Sequence, residues 1–270
     1  MNPLKRHHVR VSGTGAQAIV FVHGFGCDQH MWRLVAPAFE AEYRVVLLDL
    51  VGAGNSDLTA YDPARYSTLA AHAEDVREVL GALDLHDVVY VGHSVSAMIG
   101  VLAAIQEPTL FDQLVFVAPS PRYINEGGYI GGFEPADIDE MLEAMDSNYL
   151  GWSAAFAPVI MAHPDQPELA AELANSFCRT DPAIAQHFAG VTFRGDERAG
   201  LRRVRTPALI LQSARDLIAP LSVGDYMHEQ LAGSELVILD TDGHCPHMSA
   251  PQATTAAIRA YLQSQRAVLA

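Results

Sequence analysis

The chain has 270 residues, half of them apolar and 18% charged, with a formal net charge of −15 at pH 7. This length and composition fit one large α/β domain that carries an insertion. The acidic charge argues against nucleic acid and against an anionic membrane surface, because no basic run is present to contact phosphates.

The cysteines and the first residues bear on the compartment. Cys27, Cys178 and Cys245 are widely spaced and form no C-x-x-C pair, so we expect free thiols in a reducing compartment. No apolar segment follows the basic residues within positions 1–10, and no stretch approaches 18 uninterrupted apolar residues. We therefore expect a cytoplasmic protein without a signal peptide, without membrane contact and without a cofactor.

Short apolar runs alternate with helical patterns along most of the chain. The runs predict buried strands at residues 18–22, 44–50, 88–91, 113–118, 207–212 and 235–239. Apolar residues at helical spacing predict helices at residues 69–83 and 251–263. Continuous apolar strands separated by helices indicate a mostly parallel sheet with helices on both faces.

The pattern changes between residues 121 and 195. Gly-rich turns are followed by apolar residues at helical spacing, with no strand pattern, and five of the ten phenylalanines fall in this segment. We therefore predict an α/β core of residues 1–120 and 196–270. A helical lid of residues 121–195 is predicted to interrupt the core and to cover the edge of the sheet.

One serine lies in an unusual local context. Residues 88–100 predict a strand, a sharp turn and a helix with Ser94 at the apex, where its hydroxyl would be exposed above the sheet edge. Ser96 occupies the position of the last glycine in the usual G-x-S-x-G motif. The motif alone therefore leaves two interpretations of Ser94 open, a nucleophile or an ordinary serine.

An acid and a histidine follow two later strands. In parallel α/β sheets, functional residues lie beyond the carboxyl ends of the strands. Ser94, Asp216 and His244 each follow a predicted strand, in the chain order of an α/β-hydrolase triad. We predict Ser94 as the nucleophile and His244 as the base. Asp216 is predicted to fix the tautomer of the histidine and to stabilise its charged form.

An oxyanion hole requires two preorganised N–H donors. The N–H of Val95, directly after the nucleophile, is one candidate. Phe25 N–H is the other, because Gly24 and Gly26 on either side let this backbone approach closely. A plain turn is the alternative interpretation of this glycine-rich segment.

Other polar residues near strand ends have simpler interpretations. Asp49 precedes a Gly-x-Gly-x-Ser turn and is expected to brace that loop, which lacks the third glycine of a dinucleotide-binding motif. The spacing of His244 and His247 resembles that of metal ligands, but Pro246 lies between them and no further ligand cluster is evident, so no metal is expected. We expect His93 and His247 to be packed, hydrogen-bonded neighbours of the site.

Aromatic and apolar side chains, most of them in the lid, predict an apolar pocket over Ser94. For any one lid residue, packing of the lid helices against each other explains its character equally well. The residues predicted to bind substrate are Phe25, Tyr123, Phe133, Trp152, Phe156, Phe193 and Leu217.

Several short motifs occur together across essentially the whole chain. They are HGFGCDQ at 23–29, GHSVSAM at 92–98, SPRY at 120–123, GGF at 131–133, Asn148-Tyr149 with Trp152, and GHCPH at 243–247. Together they resemble the RsbQ family of α/β hydrolases, to which plant karrikin and strigolactone receptors are related. Ser96 in place of glycine is typical of that group.

The resemblance implies an α/β-hydrolase fold with a lid of four helices and the triad Ser94, Asp216 and His244. It implies a carboxylesterase-like enzyme that slowly cleaves a small hydrophobic ester, lactone or butenolide. A ligand-sensing role is also implied, with a small hydrophobic ligand and a protein partner of the PAS-domain phosphatase type, and we expect a monomer. The alternatives are a signalling receptor with little turnover and a metabolic carbon–carbon bond hydrolase.

Overall fold

The strands predicted from the apolar runs lie in one sheet. A computed structural model describes residues 2–269, and seven strands of this range form the sheet in the order β1-β3-β2-β4-β5-β6-β7. The strands are β1 (Arg10–Ser12), β2 (Ala18–Val22), β3 (Arg44–Leu48), β4 (Val88–His93), β5 (Phe111–Val117), β6 (Ala208–Arg215) and β7 (Glu235–Asp242). All neighbouring pairs are parallel except β1 with β3, so the mostly parallel sheet is confirmed.

α-Helices connect most of these strands, precede β1 and follow β7. Within residues 2–269 they are α1 (Pro3–Arg6), α2 (Ala70–Ala82), α3 (Val95–Gln106), α4 (Pro135–Ser147), α5 (Tyr149–Met161), α6 (Pro167–Arg179), α7 (Pro182–Arg194), α8 (Arg198–Leu201), α9 (Leu221–Gln230), α10 (Pro246–Ser249) and α11 (Pro251–Leu269). In this range, none of them combines the length and the apolar character needed to cross a membrane.

Two apolar clusters cover the two faces of the sheet. Along β2, Ile19 and Phe21 belong to the cluster that includes α11 and the helices between β5 and β6. Ala18, Val20 and Val22 belong to the cluster that includes α2 and α3. All five side chains are at most 1% exposed. A strand that is buried on both faces carries a continuous apolar run, which explains why the core strands are evident in the sequence.

Residues 121–195, which lie between β5 and β6, contain four helices, α4 to α7, as the resemblance implies. Local signals explain where they begin. Pro135, Pro167 and Pro182 are the first residues of three of them, a position at which proline loses no hydrogen bond. Asp181 and Asn148 accept N–H bonds at the starts of α7 and α5. We call residues 121–195 the lid, and the division into core and lid domains stays a prediction.

Lid helix α6 contacts the loop after β2. Ser176 Oγ donates a hydrogen bond to Gly26 O at 2.9 Å, and Arg179 pairs with Asp28 at 2.8 Å. Arg179 is well exposed, so this ion pair contributes little stability by itself. The contacts nevertheless place the lid directly against the glycine-rich loop that contains Phe25.

Candidate active site

The turn between β4 and α3 holds Ser94 at its apex. Ser94 has φ 54°, in the left-handed region that residues other than glycine rarely adopt. Its N–H donates to Val117 O at 2.9 Å, so the turn is fixed to the neighbouring strand β5. Strained backbone of this kind persists only where the surroundings enforce it and is common at active sites.

The structure brings the three predicted catalytic residues into one hydrogen-bonded chain. His244 Nε2 lies 2.7 Å from Ser94 Oγ, and His244 Nδ1 lies 2.7 Å from Asp216 Oδ2. The side chains of all three residues are buried. Because a carboxylate only accepts, Nδ1 carries the ring proton and Nε2 is free to accept the serine hydroxyl proton.

Each partner of the serine is held by its own loop. The other oxygen of Asp216, Oδ1, accepts the N–H groups of Ile218 at 2.8 Å and Ala219 at 3.2 Å. The N–H of His244 donates to Ile160 O at 2.8 Å, at the end of lid helix α5. Gly243, with φ 81°, permits this contact, because a Cβ atom there would lie 2.1 Å from Met161 O. The position of the histidine therefore depends on the lid.

The two candidate oxyanion donors are not engaged elsewhere. No hydrogen bond from the N–H of Phe25 or Val95 to another residue is present within 2–269. Val95 begins α3, where the first N–H groups have no partner inside the helix. Gly24 lies directly against the serine turn, since a Cβ atom there would be 3.3 Å from Ser94 Cβ. Both donors thus remain available for a ligand oxygen.

A small cavity of about 30 Å³ adjoins the serine. Four of the predicted pocket residues line it, namely Phe25, Tyr123, Phe156 and Phe193. The hydroxyl of Tyr123 lies 3.2 Å from Ser94 Oγ, and burial raises the pKa of this phenol, which therefore stays protonated. The cavity is apolar apart from groups clustered around the serine.

Three residues predicted to bind substrate do not line the cavity in this structure. Leu217 is 69% exposed and lies outside the cavity, whereas Ile218 lines it. The reason is the turn after Asp216. The carboxylate of Asp216 accepts the N–H groups of Ile218 and Ala219, and this turn directs the Ile218 side chain inward. A pattern of residue types does not show which of two adjacent apolar residues such a turn buries.

The other two are aromatic residues of the lid segment. Trp152 is buried but lies in a second layer, stacked on Phe156 with ring centroids 5.2 Å apart. Phe133 donates its N–H to Tyr123 O and is only partly buried against the core. Neither side chain lines the cavity. Substrate binding by Trp152 and Phe133 stays a prediction, and in this structure Trp152 supports the neighbouring ring of Phe156.

Six residues that line the cavity are absent from those predicted to bind substrate or to neighbour the site: Cys27, Ile160, Leu173, Phe177, Ile218 and Cys245. A usable signal was present for three of them. Phe156 and Ile160 are four residues apart on α5, and Leu173 and Phe177 are four residues apart on α6. Residues at this spacing share one face of a helix. Two such faces directed at the sheet edge would have identified them.

Buried histidines surround the triad. His93 Nε2 donates to His244 O at 2.8 Å, as expected for a hydrogen-bonded neighbour. The ring of His247 packs on Trp32, with centroids 4.6 Å apart, but neither nitrogen of His247 has a hydrogen-bond partner among residues 2–269. His93, Cys245 and His247 place one donor atom each within 4.8 Å of one another. Burial raises the pKa of the Cys245 thiol well above its usual value, so this group stays protonated.

These histidines make stability depend on pH. Burial lowers the pKa of His72 and of His247 to about 3 and also lowers that of His93, so the folded protein binds their protons less tightly than the unfolded chain. We predict that the free energy of unfolding falls as pH decreases below 6.5. Each group contributes a slope of about 1.4 kcal/mol per pH unit.

Urea unfolding at a series of pH values between about 7 and 5 measures this slope. His72→Leu removes one of these groups from the folded and the unfolded state. It should lower the slope by the contribution of one proton, about 1.4 kcal/mol per pH unit. A free energy of unfolding that is constant over this range would contradict the prediction.

Comparisons with known proteins show which family this chain is similar to. The model of the alpha/beta hydrolase family matches residues 19–258. Karrikin insensitive 2 receptor CA of Petunia hybrida is 41% identical over 246 residues, 91% of each chain. Strigolactone esterase D14 of Arabidopsis thaliana is 40% identical over 251 residues, 93% of this chain and 94% of that protein. A solved hydrolase from Oleispira antarctica is 41% identical with a TM-score of 0.95, covering 97% of this chain and 96% of that chain.

Proposed function

This chain belongs to the alpha/beta hydrolase family, and on that premise we propose that it is a serine hydrolase of small hydrophobic esters and lactones, including butenolides. The observation that carries the proposal is the chain of two 2.7 Å contacts from Ser94 through His244 to Asp216. A buried, strained serine with a histidine on its hydroxyl has the arrangement of an activated nucleophile.

The geometry supports a two-step reaction. Ser94 Oγ attacks the carbonyl carbon while His244 Nε2 takes the hydroxyl proton, and the carboxylate of Asp216 stabilises the resulting imidazolium. The N–H groups of Phe25 and Val95 bind the oxyanion. The carbon–oxygen bond to the leaving group then breaks, and the leaving oxygen receives the proton from His244. Water, activated by the same histidine, hydrolyses the acyl-enzyme and restores Ser94.

The cavity supports a small, uncharged and apolar substrate. Of the residues described here, those against the cavity include no Asp, Glu, Lys or Arg. A charged substrate would lose its hydration without gaining an ionic partner, which disfavours its binding. A volume of about 30 Å³ holds little more than a water molecule, so the lid has to move before a substrate enters. The relatives named as a receptor and an esterase for strigolactone or karrikin ligands favour a butenolide among such substrates.

Steady-state hydrolysis of p-nitrophenyl acetate and of a profluorescent butenolide tests the proposal. We expect repeated turnover of at least the acetate ester and inactivation by a fluorophosphonate, a reagent that reacts with activated serines. Absence of both turnover and labelling would contradict the proposal.

Phe156 is expected to limit the size of the acyl group. Its ring lines the cavity from α5, so Phe156→Ala should enlarge the cavity and shift the preference from acetate toward butyrate and hexanoate esters. We predict a rise of about tenfold in the ratio of kcat/KM for hexanoate to that for acetate, since one or two methylene contacts are worth this much. Kinetics with p-nitrophenyl esters of increasing chain length measure the ratio.

Leu150→Ala is the matched control for that variant. Leu150 lies on the same helix but is 63% exposed and outside the cavity. It should leave the chain-length preference unchanged. An unchanged preference in Phe156→Ala as well would show that this ring does not limit the substrate.

A ligand sensor is the second candidate function. The hydrogen bond from His244 N–H to Ile160 O supports it, because displacement of the histidine during reaction would disturb lid helix α5. The lid would then present a changed surface to a protein partner, for which the PAS-domain phosphatase type is our proposal. Ligand-dependent change in Tm or in limited proteolysis of the lid tests this function. Fast turnover without either change would count against it.

A further inference from the structure

The two residues that flank the serine turn each contact another catalytic loop. We define the oxyanion loop as residues 23–27 and the histidine loop as residues 243–247. We propose that His93 and Ser96 are positioning residues that hold these two loops in place relative to Ser94. This inference rests on the proposed function and assigns a role to the serine that replaces the usual glycine.

Ser96 is bonded to the oxyanion loop. Its side chain is fully buried, and its hydroxyl donates to His23 O, two residues before the N–H of Phe25. The carbonyl of Ser96 in turn accepts the hydroxyl of Tyr90 at 2.7 Å. A glycine at this position has no hydroxyl to donate, so serine adds a bond that the general motif lacks. The bond fixes the backbone that presents one oxyanion donor.

His93 contacts both loops. Its Nε2–H donates to His244 O at 2.8 Å, and its ring lies against Gly24, where a Cβ atom would be 2.4 Å from His93 Nδ1. The absence of a side chain at Gly24 is therefore required for this ring to fit. The centroid of the His93 ring is 5.1 Å from that of His244. Burial lowers the pKa of His93, so it remains neutral and does not oppose the positive charge that forms on His244.

These hydrogen bonds connect the sheet, the serine turn and both catalytic loops, so they fix the positions of the reacting groups relative to one another. The N–H of Ser94 is bonded to Val117 O in the sheet. His93 is bonded to the histidine loop, which carries the base, and Ser96 is bonded to the oxyanion loop. Ser96 does not line the cavity beside Ser94, whereas the ring of His93 forms part of its wall without a hydrogen bond to Ser94. Their loss would let the loops move by fractions of an ångström, which lowers kcat while binding of an apolar ester changes little.

Substitutions test whether the hydrogen bonds or the bulk of these side chains matter. Ser96→Ala removes the hydroxyl and keeps the Cβ atom. His93→Leu removes the donor and fills the space, whereas His93→Gln keeps an N–H donor at similar reach. We expect kcat for p-nitrophenyl acetate to fall about 10- to 100-fold in Ser96→Ala and His93→Leu, with KM changed less than about threefold. His93→Gln should recover most of the loss.

Matched controls remove equivalent groups elsewhere. Ser153 is fully buried and its hydroxyl donates to Tyr149 O at 2.8 Å, so Ser153→Ala makes the same chemical change on a lid helix. His72 is a buried histidine that packs on Tyr66, away from the triad. Ser153→Ala and His72→Leu should lower the Tm by an amount similar to that in the test variants. Both should keep kcat within about twofold, because such losses act on stability alone.

The outcomes separate this inference from the proposed function. If the wild-type protein hydrolyses no ester and its serine is not labelled, the proposed function fails. If the wild type is active but Ser96→Ala and His93→Leu have wild-type kcat, the inference alone is overturned. It is also overturned if His93→Gln is as impaired as His93→Leu, since the donor would then be irrelevant.

Discussion

Ser94→Ala is expected to reduce kcat for p-nitrophenyl acetate on the order of 10⁶-fold, the loss typical for removal of a serine nucleophile. The hydroxyl is the group that forms the acyl bond, and no other side chain can replace it at the apex of this turn. Its loss removes contacts to His244 and Tyr123 but few packing atoms. The fold should therefore persist, with near-native circular dichroism and cooperative unfolding.

The control for Ser94→Ala is the Ser153→Ala variant, which removes a buried hydroxyl outside the site. Hydrolysis by Ser94→Ala at a rate close to that of the wild type would contradict the assignment of the nucleophile. Both variants are assayed at equal protein concentration, with the no-enzyme rate subtracted, because activated esters hydrolyse slowly in water.

Asp216→Asn is expected to lower kcat about 10⁴-fold while KM for the ester changes little. The amide that replaces the carboxylate can donate to His244 Nδ1, which moves the ring proton to Nε2. Nε2 then has no lone pair for the hydroxyl proton of Ser94. The amide oxygen can still accept the N–H groups of Ile218 and Ala219, so the turn after β6 should be retained. Kinetics and thermal unfolding measure the two effects separately.

Asp49→Asn is the matched control, because Asp49 is also a buried acid directly after a strand. Its two carboxylate oxygens accept N–H groups from Gln29 and Asn55, both at 2.8 Å, as expected for a residue that braces the loop. This variant should lose stability and keep kcat within about tenfold of the wild type, since the brace makes no contact with the triad. If kcat also fell 10⁴-fold in Asp49→Asn, the loss in Asp216→Asn would not identify Asp216 as a member of the triad.

Much of the core fold could be predicted because its strands are buried on both faces. The apolar runs at 18–22 and 44–50 correspond to β2 and β3 within two residues. The edge strand β1 was missed, since Arg10–Ser12 is short and polar and pairs only with β3. An edge strand need not be buried on both faces, so its sequence need not be continuously apolar. Its pairing depends on the tertiary fold rather than on local composition.

The candidate site was predictable where chain topology sets the positions. Parallel strands end at one edge of the sheet, so residues that follow β4, β6 and β7 were expected to meet, and Ser94, Asp216 and His244 do. The pocket lining was less predictable. The lining depends on how lid helices α5 and α6 are oriented over that edge. The spacing of their apolar residues indicates which helix face is buried but does not show which part of the protein that face contacts.

The resemblance rested on short motifs and on Ser96, the residue that first weakened the general serine motif. Relatives at 40% and 41% identity over nine-tenths of the chain confirm the relation to karrikin and strigolactone proteins. The structure adds a physical reason for the substitution, because the Ser96 hydroxyl binds the loop that carries Phe25. A departure from a motif thus proved to be informative about packing around the site.

Intact-mass spectrometry of a rapidly quenched reaction shows whether Ser94 forms an acyl-enzyme. Wild-type protein mixed with a slowly deacylating ester, or with a butenolide, should gain the mass of the acyl fragment, and peptide mapping should place it on Ser94. Ser94→Ala should show no adduct, and Asp216→Asn should accumulate it far more slowly. Product formation by the wild type without any adduct, or an equal adduct on the Ser94→Ala protein, would show that Ser94 is not the nucleophile.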